Sequence, residues 1–491
     1  MKKETIKIKS WLVITTCLSL LFAVMAAEAS SEFEQWMRQQ SQGVQAQKKE
    51  FQEYKDKRDK EFTAFLKTNW KAVDIVKGNV RDEEPKPVVI PVAPDKPVSA
   101  AHVEKPVVVS VPESKIDKAV AAPVISVEGK PLNVDFYGRQ LRFYYDGVLT
   151  QNLSANINKE VVSDYWSVLS RADYEDLISQ LIAQKESLRL NDWAFASLIN
   201  TLALSVNHNR KNESVLLSWF LLVKSGYKAR IAYNSNSIYL LLPSEHEMFD
   251  VPFFTYNNKR YYTVALDGTK QQPGQVYTYD GEYPQATKIL DMQVSAAVAS
   301  SDQSERRHLS FKFDGKLYNI DVAYDRGRVK FFRTYPQLNL NLYFGAGVYK
   351  VTATPLQKQL ASHMHEMSEQ QAVNFLLRFV QTSLKYETDE EQFGEENYLF
   401  PEESLFYPYS DCEDRAVLFA WLVSSLLNLN VIGLDYPGHV AAAVEFNETV
   451  AGDSISYKGR QYIVTDPTYI NANAGMTMPG FKKYKPEVIT Y

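Results

Sequence analysis

Residues Tyr409–His439 read YSDCEDRAVLFAWLVSSLLNLNVIGLDYPGH, and Tyr462–Tyr469 read YIVTDPTY. Asp411 stands immediately before a predicted helix whose first turn carries Glu413, Asp414 and Arg415 and which is apolar from Ala416 onward. The turn sequence Asp435-Tyr-Pro-Gly438 then leads to His439, which begins the apolar strand Val440–Phe446. A further hydrophobic strand, Tyr462–Thr465, ends at Asp466. His439 follows Cys412 by 27 residues, and Asp466 follows His439 by another 27. Thiol, imidazole and carboxylate are the three parts of an activated sulfur nucleophile, so Cys412, His439 and Asp466 are the candidate catalytic residues.

Each position has a physical rationale. Cys412 falls near a helix N-terminus, where unpaired N–H groups favour a thiolate. The neighbouring carboxylates oppose that effect, so activation also calls for pairing with an imidazolium. A hairpin through Gly452–Tyr462 would set His439 beside Asp466, which orients the ring. The backbone N–H of Cys412 is the first candidate oxyanion donor, with Gln392, Tyr407 and Tyr409 as side-chain options. The competing reading of Cys412 is a buried structural cysteine.

The pattern Asp411-Cys-Glu-Asp-Arg-Ala416, then Gly438-His439, then Asp466-Pro-Thr-Tyr469 resembles the transglutaminase-like superfamily, in particular its bacterial exported members. The resemblance covers about residues 371–477. It implies a papain-related α+β core with Cys412 at the start of a helix, His439 and Asp466 on neighbouring strands, and no cofactor. Many members carry tryptophan after the histidine; Val440 stands there in this chain, so substrate is not carried over.

Around this core, 491 residues exceed one ordinary hydrophobic core. A net charge of −5 gives no global pull toward nucleic acid or an anionic membrane. Lysines at 2, 3, 7 and 9, the uncharged run Trp11–Met25 and the site Ala27-Glu28-Ala29 predict a signal peptide over residues 1–29, with a retained membrane anchor as the alternative. Export to the periplasm follows, with inner-membrane association only through a partner or an uncleaved leader. Cys17 would leave with the leader, so Cys412 alone remains and no intramolecular disulfide forms.

Phe51, Phe62 and Val73 recur every 11 residues, as do Tyr54, Phe65 and Val76, predicting an amphipathic, coiled-coil-like helix over 30–80 that meets an envelope partner or packs back on the body. Residues 82–123 hold eight prolines and read as an extended linker, placed at 81–125. The half at 126–350 carries β-rich sequence and a faint copy of the half at 351–491. Val215–Leu221 resembles Val417–Val423, which puts Trp219 against Trp421, Arg210 against Cys412, Ser237 against His439, and Leu317–Asp321 against Tyr462–Asp466. This front copy would have kept the scaffold and lost the chemistry.

The predicted reaction is hydrolysis of a peptide or amide in an envelope protein or cell-wall peptide, through an acyl-enzyme on Cys412. The alternatives are cross-linking to an amine and a non-catalytic envelope scaffold. No cofactor, metal or nucleic-acid site is expected. His363-Met-His365 is a spacing common in helices, and neither a phosphate loop nor an aromatic-basic groove is present.

Overall fold

A computed structural model describes residues 53, 55–81, 86–94, 106–110, 128–153, 156–294 and 304–491. The expected leader and nearly all of the expected helix before residue 55 lie outside the described residues. The chain forms two compact units, Met1–Phe65 and Leu66–Tyr491. The described residues of the first are helical. Among the described residues, no helix is long and apolar enough to cross a membrane.

The second unit is mixed α+β and includes both the front and the rear half. Trp70–Asp74 forms an edge strand, β1, and so corrects the helix expected over 30–80. The helical residues stop at 68. Trp70 packs its ring on Tyr233 and Tyr279, at 4.8 and 5.5 Å between centroids, and this tertiary contact overrides the 11-residue periodicity. Lys130–Phe136 (β2) and Arg139–Tyr145 (β3) form the hairpin expected around Gly138. Tyr137 and Gly138 both have positive φ, as a two-residue turn of this kind needs.

The front sheet adds Arg230–Tyr233 (β4), Ile238–Pro243 (β5), Phe253–Tyr256 (β6), Lys259–Val264 (β7) and Gln275–Tyr279 (β8). Its order is β1-β8-β4-β5-β7-β6, antiparallel throughout. Ser304–Phe313 (β9) and Lys316–Asp325 (β10) make a separate hairpin. After the short parallel pair Lys385–Tyr386 (β11) and Tyr409–Ser410 (β12), the rear sheet is built from Val431–Tyr436 (β13), His439–Val444 (β14), Ser454–Tyr457 (β15), Arg460–Thr465 (β16) and Glu487–Ile489 (β17). Its order is β15-β16-β14-β13-β17.

Each sheet carries one helix that is paired in turn with a second. In the front half these are Asp192–Val206 (α1) and Lys211–Lys224 (α2); in the rear they are Glu369–Ser383 (α3) and Cys412–Leu427 (α4). α2 and α4 are apolar on nearly every face, because each is covered by its sheet and by its partner helix. Trp219 on α2 is fully buried; its Nε1 donates to the Ala229 carbonyl and the Tyr279 hydroxyl, at 3.2 and 3.1 Å.

The two halves share one topology. Strands β8-β4-β5-β7-β6 correspond in order to β17-β13-β14-β16-β15, and α1 and α2 precede their strands as α3 and α4 do. Ile231 pairs with Leu240 as Gly433 pairs with Ala442, so the same shift of 202 residues that relates Trp219 to Trp421 superposes the two hairpins. By this register Arg210 and Ser237 occupy the places of Cys412 and His439. The third correspondence differs from the one expected: Leu317–Asp321 lies in β10, outside the front sheet. Leu240 pairs with Val264 as Ala442 pairs with Thr465, so Ala265 stands where Asp466 stands. A hydrophobic strand closing on aspartate had suggested the other match, but strand pairing assigns the position.

Candidate active site

Cys412 is the first residue of α4 and is fully buried. The helix starts here because Asp411 has extended backbone and its carbonyl accepts from Arg415 N at 3.3 Å, while Asp414 Oδ2 accepts from Asp411 N at 3.4 Å. The other oxygen of Asp414 accepts from Leu399 N at 2.9 Å and so ties the preceding loop to the helix start. Sγ of Cys412 donates to Glu413 Oε2 at 2.8 Å. Burial, followed by the Glu413 and Asp411 charges, pushes the thiol well above its ordinary range, against a smaller downward pull from Lys86. The helix N-terminus is therefore outweighed, and the sulfur rests as a neutral thiol.

His439 opens β14, the strand on which α4 packs. The two-residue turn before it is Pro437-Gly438, with Gly438 at positive φ. Strand β16 lies next to β14, with β15 outside it, so the hairpin expected to join them is made by β15 and β16 and the β14–β16 pairing follows from it. His439 and Asp466 are both buried, and Nε2 lies 2.9 Å from Asp466 Oδ2. Nδ1 of the same ring is buried with no hydrogen-bond partner. Phe481 stacks on one face of the imidazole, 4.6 Å between centroids. With Nε2–H directed to the carboxylate, Nδ1 is left with a lone pair for an incoming proton.

Asp466 is itself fixed. Its Oδ1 accepts from Thr468 N and Tyr469 N, at 2.9 and 3.1 Å, and its carbonyl accepts from Gln381 Nε2 at 3.0 Å. Gln381 also donates to Ala472 O at 3.0 Å and accepts from Arg378 Nε at 3.2 Å. The Arg415 guanidinium donates to the carbonyls of Gln381 and Leu384 and to Ser410 Oγ, joining α4, α3 and β12. Burial pulls it down to about 10, with opposition from Tyr386 and Asp411. Nothing local in the sequence marks Gln381 or Arg378, or gives Arg415 of the motif this bracing role, because their partners are mainly backbone carbonyls distant in sequence.

Beside the thiol the expected carboxylates are joined by Asp389, Glu396 and Lys86, which the sequence does not place there. Nζ of Lys86 sits 2.7 Å from Asp411 Oδ2, 2.5 Å from Glu413 Oε1 and 3.6 Å from Asp389 Oδ2, and it also meets Glu396. The lysine side chain is only 6% exposed. Burial alone would lower its ammonium, but Glu413 and Asp411, followed by Cys412 and Asp389, hold it well above the usual lysine range. One ammonium does not offset all these groups: burial first, and mutual repulsion second, push the carboxyls of Asp389, Glu413 and Asp414 well up. Asp389, Glu396 and Asp411 are close enough together to ligate a metal, yet the cation among them is Lys86.

Of the linker expected at 81–125, residues 82–85, 95–105 and 111–125 lie outside the described residues, and part of the remainder is docked. Residues 86–94 and 106–110 are pinned to the rear half: Pro87 O accepts from Tyr386 OH at 2.7 Å, Ala93 N donates to Ile470 O at 2.7 Å, and Ser110 N donates to Leu426 O at 2.8 Å. Of the proposed oxyanion side chains, Tyr407 is engaged by Arg333 Nε at 2.7 Å and Tyr409 sits in β12 opposite Lys385. Gln392 lies on the short helix Asp389–Phe393, and its buried Oε1 has no hydrogen-bond partner. No family model, curated protein or solved structure matches the chain.

Proposed function

We propose that this protein is an exported, transglutaminase-like thiol hydrolase with a papain-related rear core, cleaving a peptide or amide bond through Cys412, His439 and Asp466. The observation that carries the reading is the buried pair of His439 Nε2 and Asp466 Oδ2 at 2.9 Å, which leaves Nδ1 without a partner on the strand that α4 covers.

The reaction starts when the Cys412 S–H turns from Glu413 toward Nδ1. His439 takes the proton as sulfur attacks the substrate carbonyl, and Asp466 offsets the charge on the ring. The Cys412 backbone N–H serves the oxyanion, with Gln392 as the side-chain candidate. Collapse breaks the C–N bond; the amine leaves with the proton from Nδ1, and a thioester remains on Cys412. Water then loses a proton to His439 and attacks the thioester, releasing a carboxylic acid and restoring the thiol. An amine in place of water gives cross-linking, a second reading favoured by the ammonium of Lys86 bonded to the same Glu413 that accepts from the thiol. The substrate is an envelope protein or cell-wall peptide.

The test is incubation of wild-type and Cys412→Ala protein with envelope extract, followed by mass spectrometry of the products. New carboxyl termini with wild type alone support hydrolysis, and new isopeptide links support transfer. Identical product sets overturn both.

A further inference from the structure

The carboxyl pocket beside Cys412 draws its walls from two pieces of chain, Asp389 and Glu396 from one and Asp411 and Glu413 from the other. Burying so many carboxyls is costly without a cation, and the chain supplies one from 325 residues away. Asp411 Oδ1 remains buried with no hydrogen-bond partner even so.

The rest of the segment that carries Lys86 lies on the rear half as a bound peptide would. Tyr386 OH donates to Pro87 O at 2.7 Å. Further on, Ile470 N donates to Pro91 O at 3.3 Å and Ala93 N donates to Ile470 O at 2.7 Å, a single parallel bridge at Val92 on the stretch just beyond Asp466. Ala93 is buried in a cluster with Tyr469, Ala472 and Met478. Between these two anchors Val88 and Val89 arch into solvent, 63% and 85% exposed. Prolines at 87, 91 and 94 remove backbone donors, so the segment is held by what it touches rather than by structure of its own. Glu413 joins it to the nucleophile, with one oxygen on Lys86 and the other on Sγ.

We propose that residues 86–94 form a strap anchored in cis at the carboxyl pocket and at the stretch beyond Asp466, and that the carboxyl pocket is an ammonium subsite which an extended, lysine-bearing peptide enters when the strap leaves. The strap thus acts as a built-in competitor that keeps Cys412 capped. This inference rests on the preceding reading only in taking Cys412 as the group that is covered.

The test is the alkylation rate of Cys412 by iodoacetamide in the full chain. Two variants release different anchors: Lys86→Ala empties the pocket, and Ala93→Arg lifts the far end without touching any carboxyl. Each raises the rate by about tenfold, as expected when an anchor worth about 1.4 kcal/mol holds the closed form. The capped nonapeptide KPVVIPVAP slows alkylation of the Lys86→Ala protein saturably, and the same peptide with alanine for lysine does not. If emptying the pocket prevents folding, Ala93→Arg decides alone. A wild-type rate in folded Ala93→Arg, or equal protection by the two peptides, overturns the proposal. Faster alkylation that is indifferent to His439→Ala would leave the strap standing and count against the hydrolase reading instead.

Discussion

The sulfur of Cys412 lies 2.8 Å from Glu413 Oε2, a contact between neighbours in the chain that keeps the proton on the thiol. Burial is the larger cause of the raised thiol, and Glu413 is the next. Replacing Glu413 by Gln keeps the volume and removes the ionisable carboxyl. The alkylation midpoint of Cys412 should therefore shift to lower pH, and its rate at neutral pH should rise. An upward shift would mean that Glu413 assists ionisation.

In the proposed mechanism His439 is the base and Asp466, 2.9 Å from its Nε2, orients the ring. His439→Ala should lower turnover on any cleaved peptide by about 10²–10⁴-fold, the usual worth of a positioned general base. Asp466→Asn preserves shape but offers an amide to Nε2, so the ring's tautomer changes and turnover falls while KM holds. Steady-state kinetics of both variants provide the check. A change confined to KM would assign these residues to binding.

The buried acids give the protein an unusual dependence of stability on pH. Burial pushes Glu403 up to about 8 and raises Asp389, Glu413 and Asp414 as well. Each binds its proton more tightly folded than unfolded, so folding takes up protons. Their contribution is full below the unfolded carboxyl values of about 4 and is lost as pH rises through the folded values. The midpoint of urea unfolding should thus fall between pH 5 and pH 9, on the order of the window these groups span. Glu403→Gln should flatten part of that slope. A midpoint that climbs with pH would contradict the assignment.

The front half is scaffold in this account. Trp219→Ala deletes a fully buried indole and two hydrogen bonds, at a cost of about 3–5 kcal/mol in unfolding free energy. Restoring chemistry is a different matter, since Arg210, Ser237 and Ala265 offer neither nucleophile, base nor orienting acid. Chemical denaturation measures the first effect, and unchanged Cys412 alkylation in the folded variant checks that the two halves are separable in function.

The candidate triad was legible because each member sits at an element boundary that local sequence marks: Cys412 after a helix cap, His439 after Pro-Gly, Asp466 at the end of an apolar strand. The front copy was legible through Trp219 and Trp421, whose neighbours in sequence repeat. Its third position was not, because strands ending in aspartate recur and only hydrogen-bond register distinguishes Ala265 from Asp321. Trp70–Asp74 carried a helical period yet joined a sheet edge, where Tyr279 and Tyr233 supplied the packing. Lys86 gave no local signal at all: a lysine among prolines reads as linker, and its partners lie around 300 residues further along the chain.

The most direct test of the central claim is the pH profile of Cys412 alkylation in the strap-released Ala93→Arg protein, with and without His439→Ala. With His439 present as the base for a neutral thiol, the reactive limb should extend to lower pH than without it, and the histidine substitution should move that limb upward. Two coincident profiles rising only in the alkaline range would contradict the claim that His439 serves this sulfur.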